Sequence, residues 1–215
     1  IVATLSGANA TTVGTVTGGD GAETLTITPG ASALMSVSTG AGNDRVNISA
    51  IAATHTIAGG DGTDTLNARA EELDDFAALP TTFRITNVER VTANTAVLNA
   101  ATINLPFISA TADRLTLTLA NAGTSTLNFN AGASTLVNTA ATVGAITVDA
   151  AGTATTDSLT ISHGGASAVD SLNGQGLTST DFETVTISTT GTGAAGAQTV
   201  GAISVTASTG GTPAL

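Results

Sequence analysis

Cysteine, tryptophan, tyrosine and lysine are absent from this 215-residue chain, and its five basic residues are all arginine. Without cysteine no disulfide can staple the fold, so stability outside the cell has to come from another source, such as bound metal. A formal charge of −11 leaves nothing to neutralise a run of phosphates, which argues against nucleic acid as a partner, and it suits an anionic membrane surface no better. Five Phe are the only aromatics, too few for the stacking platforms that bind sugars or single strands. No apolar run approaches the roughly 18 residues of a membrane span. The start at Ile1, without Met, and the abrupt end at Leu215 suggest a fragment of something larger.

Catalytic material is scarce. The two histidines lie apart, His55 in the apolar stretch Thr54 to Ala58 and His163 before a Gly-Gly turn, and both suit structural roles. Glu71 and Glu72, like Asp74 and Asp75, are neighbours in sequence and diverge on a helix, so they form a solvated face. The chain is expected not to be an enzyme.

What remains is a uniform mixture of Thr, Ala, Gly and Val without a linker, consistent with one architecture throughout. Short alternating segments dominate and indicate strands. Many share one phrase of acid, polar, apolar, polar, apolar, opening at Glu23, Asp44, Asp64, Glu89, Asp113, Asp157 and Glu183. The gaps are 21, 20, 25, 24, 44 and 26 residues, and the longest divides at Ser134-Thr-Leu-Val, which keeps the phrase without the acid. Second strands lie between, at Leu34 to Ser38, Thr54 to Ala58, Ala145 to Asp149 and Ala202 to Thr206.

A repeat of 20 to 26 residues with two or more short strands per coil predicts an all-β, right-handed parallel β-solenoid, a β-roll or β-helix. One short helical excursion is expected within Ala68 to Leu79, ended by Pro80. The expected organisation is calcium-binding coils over 1–70, the excursion over 71–80, and continuing solenoid over 81–215. Asp64-Thr-Leu-Asn leading to Asn87-Val-Glu-Arg-Val-Thr is echoed by Asp170-Ser-Leu-Asn leading to Asp181-Phe-Glu-Thr-Val-Thr, as if one module were used twice. Flat Thr ladders can order ice, but coils of varying length would break the register such a surface needs.

Three runs carry chemistry: Gly18-Gly19-Asp20-Gly21-Ala22-Glu23, Thr39-Gly40-Ala41-Gly42-Asn43-Asp44 and Gly59-Gly60-Asp61-Gly62-Thr63-Asp64. Each is a glycine-rich turn closed by an acid, and stacked coils would bring the three to one edge. Calcium takes six to eight oxygen ligands, part carboxylate and part carbonyl, and glycine lets a turn direct its carbonyls inward. Gly-Asp-Gly is also an ordinary turn, but three in register, each followed by a strand, favour calcium. The acids at 89, 113, 157 and 183 lack the glycine turn and suit edge charges that discourage strand-to-strand aggregation, with isolated metal sites as the alternative.

The runs resemble the RTX nonapeptide, G-G-x-G-x-D-x-U-x, a calcium-binding β-helix repeat. The resemblance implies two sites between successive turns, drawing on the backbone around Gly18, Gly19, Asp20 and Gly21, around Gly40, Gly42 and Asn43, and around Gly59, Gly60, Asp61 and Gly62. Glu23, Asp44 and Asp64 would be the carboxylates. Glu23 departs from the motif's Asp, Thr39 from its first Gly, and one motif per coil departs from tandem arrays. The opposite turns, near Pro29 to Ala33 and Ser49 to Ala53, would then be free of metal.

Across nearly the whole length the order of features is similar to that of RTX-type bacterial surface-layer proteins. That likeness implies a structural Ca2+-binding protein, exported by type I secretion, that assembles with copies of itself into a two-dimensional lattice on the cell surface. It further implies attachment to surface polysaccharide through a region outside this sequence. A β-roll segment of a large type I-secreted RTX adhesin is the alternative.

Overall fold

The computed structural model describes residues 2–7, 13–29, 34–50, 55–74, 84–97, 100–120, 123–140, 144–163, 172–188 and 199–215. Its first strands are β1 (Val2–Gly7), β2 (Val13–Thr17), β3 (Thr24–Pro29), β4 (Leu34–Ser38), β5 (Arg45–Ile48), β6 (His55–Ala58) and β7 (Thr65–Ala68). Helix α1 (Ala70–Asp74) precedes β8 (Arg84–Thr86), β9 (Arg90–Ala93) and β10 (Thr102–Asn104), and α2 (Leu105–Ile108) follows. Then come β11 (Arg114–Leu117), β12 (Ser125–Phe129), β13 (Ala133–Asn138), β14 (Ile146–Ala150), β15 (Ser158–His163), β16 (Leu177–Thr180), β17 (Thr184–Ser188) and β18 (Ile203–Thr206).

The fold is a parallel β-solenoid. Odd-numbered strands form one nine-stranded parallel sheet in strict chain order, while even-numbered strands form a four-stranded sheet, β2 to β8, and a five-stranded sheet, β10 to β18. The long sheet therefore runs unbroken past a change of opposite wall between β8 and β10. In the long sheet coil length follows the sequence period, with paired residues from 20 to 26 apart.

Alternation explains the walls. In β12 and β14 every second side chain is buried, so each strand presents one apolar row to its facing wall. The central row of the long sheet pairs Leu25, Val46, Leu66, Val91, Leu115, Leu136 and Ile161 in register, all buried. Val37 and Ile57 answer from the first short sheet, Ile103, Leu127 and Val148 from the second, in one continuous core. Each such side chain contributes about 1.5–3 kcal/mol on burial. His55, fully buried in β6, faces the same interior.

Three expectations need adjusting. The helix starts at Ala70, since Ala68 ends β7, and residues 75–80 lie outside those described, as do 30–33 and 51–53 of the opposite turns. A second helical turn, α2, was not foreseen, and Pro106 in its first turn is where proline suits a helix start. The shared phrase also slips: Leu159 pairs with buried Ser134, and Ile161 continues the Leu115 and Leu136 column. Asp157 therefore stands two residues out of line with Asp113. Among the described residues no helix is long and apolar enough to cross a membrane.

Candidate metal centre

Every turn leading from a short-wall strand into the long sheet falls on one edge of the solenoid, and the three glycine runs are the turns before β3, β5 and β7. There the backbones stack too closely for side chains. A Cβ on Gly40 would fall on the Gly19 carbonyl oxygen, one on Gly60 on that of Gly40, and one on Gly62 on that of Gly42. Gly40, Gly42, Gly60 and Gly62 also have φ between +102° and +135°, a region open to glycine and costly to other residues. Turn-to-turn bonds lock the stack, Ala41 N–H donating to Gly19 O at 2.9 Å and Asp61 N–H to Gly40 O at 3.0 Å.

The closing acids form a ladder. Asp44 Oδ1 accepts the Glu23 N–H at 2.7 Å, Asp64 Oδ1 the Asp44 N–H at 2.8 Å, and Glu89 Oε2 the Asp64 N–H at 2.8 Å. Each acid reaches back one coil to satisfy the backbone of the acid before it. Glu23, Asp44 and Asp64 are only 7%, 2% and 2% exposed, and Glu23 Oε2, Asp44 Oδ2 and Asp64 Oδ2 are buried without a hydrogen-bond partner. Among the described residues no ion pair joins an arginine to Glu23, Asp44 or Asp64. Burial, joined by repulsion from Asp44 and Glu89, pushes the Asp64 carboxyl above the ordinary aspartate range, while its bond from the Asp44 N–H opposes the shift.

Unpaired buried carboxylates are costly. Charges one strand spacing apart, about 4.8 Å, repel by roughly 3 kcal/mol at an effective dielectric of about 20. Orphaned carboxylate oxygens beside stacked carbonyls that a Cβ would displace are a donor set that fits calcium. Among the described residues no three His, Asp or Glu side chains form a group that could hold a metal ion, so an ion here would have to draw on backbone oxygens as well.

The individual positions divide in use. Asp20, Asp61 and Asn43 are exposed; Asp61 joins the stack through its backbone, and Asn43 Oδ1 accepts the Thr63 N–H at 2.9 Å. Thr39, in place of the motif's first glycine, is fully buried and its hydroxyl donates to the Gly59 carbonyl. Gly18 cannot vary likewise, because its Cβ would meet the Thr39 carbonyl. The longer arm of Glu23 folds over its own turn, with Oε1 at 3.6 Å from where a Cβ on Gly21 would stand.

Three acids expected to be edge charges are not. Glu89 extends the ladder, and Asp157 and Glu183 are buried, whereas Asp113 is exposed and suits that role. The signal for the two glutamates was the repeated module, which does not contain Asp157. Asn87 at φ +52° and Asp181 at φ +59° each open a tight corner, followed by a buried apolar residue, Val88 or Phe182, and then the glutamate. Asn and Asp are the residues other than glycine that best tolerate this conformation. No protein-family model, curated protein or solved structure matches the chain.

Proposed function

We propose that this chain is a structural, calcium-dependent protein of a bacterial surface layer, its glycine-turn edge taking up Ca2+ as it folds outside the cell. The observation that carries this reading is the row of buried, partnerless oxygens on Glu23, Asp44 and Asp64 along an edge lined by stacked carbonyls. These carboxylates, with the backbone of 18–21, 40–42 and 59–62, would hold the ions. Bound calcium supplies the positive charge that offsets the stacked acids.

Without that charge the acidic chain resists compaction through self-repulsion, so metal uptake and folding become one event. A chain exported unfolded would fold only where calcium is plentiful, which suits type I secretion. The lattice partner would be further copies of the chain, with polysaccharide held by a region outside this sequence, and the role is non-enzymatic. These assignments rest on the RTX likeness and the composition.

Electron microscopy of the full-length protein tests the assembly. An ordered two-dimensional array is expected with calcium and none with chelator. Absence of an array in calcium would favour the adhesin reading.

A further inference from the structure

The second half of the solenoid repeats the end of the acid ladder without any RTX run. Asp157 Oδ1 accepts the Gly132 N–H at 2.5 Å, and Glu183 Oε2 accepts the Asp157 N–H at 2.8 Å. This is the relation that Asp64 and Glu89 hold in the first half. Glu183 Oε1 additionally accepts the Ser208 N–H at 3.1 Å. Both carboxylates are deeply buried, at 1% and 6% exposure, and Asp157 Oδ2 has no hydrogen-bond partner.

We propose that Asp157 and Glu183 form a second site for a hard divalent cation of the calcium class, separate from the glycine-turn edge. Two acids in adjacent coils place two negative charges inside the protein, with no ion pair to either among the described residues. The turn 151–156 closes on Asp157, and a Cβ on Gly211 would stand 2.5 Å from Glu183 Oε1, so the last turn lies directly against this carboxylate. Carboxylates of two coils, completed by backbone oxygens, would suit the irregular oxygen coordination of calcium better than the strict octahedron of magnesium.

The site stands on its own atoms, so its test separates from that of the first edge. Bound calcium is counted by equilibrium dialysis for the wild type, for Asp157→Asn/Glu183→Gln, and for Asp44→Asn/Asp64→Asn. Each amide substitution removes a charge and keeps one oxygen for a ladder N–H, but at 183 that single oxygen replaces two acceptors, since Glu183 takes the N–H of both Asp157 and Ser208. Asp157→Asn/Glu183→Gln is expected to bind one calcium fewer per chain while Asp44→Asn/Asp64→Asn retains that ion. An unchanged count in Asp157→Asn/Glu183→Gln overturns the proposal. Exchange of the Gly132, Asp157 and Ser208 amides is then followed in Asp44→Asn/Asp64→Asn with calcium or chelator, which needs no change at the second site. Slowing on the order of tenfold or more in calcium supports the site, and identical rates overturn it.

Discussion

Gly60 and Gly132 share a φ of +102° but differ in what surrounds them, a contrast that isolates the effect of close stacking. A Cβ on Gly60 would fall on the Gly40 carbonyl oxygen, whereas a Cβ on Gly132 would meet nothing within 4 Å. Alanine at either position pays for an unfavourable backbone conformation, about 1–3 kcal/mol. At Gly60 the obstructing atom is backbone held by the Asp61 N–H and cannot swing aside, so overpacking adds about 1–3 kcal/mol. Gly60→Ala should therefore cost on the order of 2–6 kcal/mol, and about 1–3 kcal/mol more than Gly132→Ala. Urea unfolding in saturating calcium measures this, followed by far-UV circular dichroism because the chain has neither Trp nor Tyr. Coils contact mainly their neighbours, so amide exchange of residues 39–64 and 130–138 should locate the loss in the coil mutated. Equal losses for the two variants would refute the stacked-carbonyl reasoning.

Other consequences follow from the same geometry. Asp64→Ala should weaken calcium binding more than Glu23→Ala in parallel titrations, because Asp64 lies between two acids and its loss also strands the Asp44 N–H, at about 1–3 kcal/mol; coincident curves would contradict the ranking. The folded-state pKa of Asp64 lies above its unfolded value, so its ionisation opposes folding of the metal-free chain. That chain should lose stability from this group as the pH rises past the ordinary aspartate range and regain it as the pH falls through the raised value. In calcium the order should reverse, since protons then displace the ion, and the far-UV circular dichroism signal across that window, with and without chelator, would reveal it. Phe129→Ala, removing a fully buried ring whose centroid lies 6.0 Å from that of Phe182, should cost about 3–5 kcal/mol in urea unfolding.

The solenoid was legible because one signal was repeated: the apolar residue two places after each acid faces inward, and the phrase recurs once per coil. Leu25, Val46, Leu66, Val91 and Leu115 could be aligned by eye and are in register. The slip at β13 was hidden because Ser134 and Leu159 each occupy an inward position, and their pairing depends on the length of the preceding turn. The glycine runs were legible as turns, but not the direction in which each acid reaches. Backward capping of one acid by the next depends on stacking, which no single coil contains. Hence Glu89, Asp157 and Glu183, judged singly, looked like edge charges, while beside their neighbours they are ladder members. Thr39 was visible as a departure, and its hydroxyl's bond to Gly59 explains why the position admits it.

The ladder of Glu23, Asp44 and Asp64 is proposed to fold only with calcium bound. Calcium titration of the chelated chain, followed together by far-UV circular dichroism and bound-metal count, tests it most directly. Chelator is expected to abolish the β signal of at least residues 1–70, and its return should track metal uptake. A spectrum unchanged by chelator, with no metal bound, would contradict it.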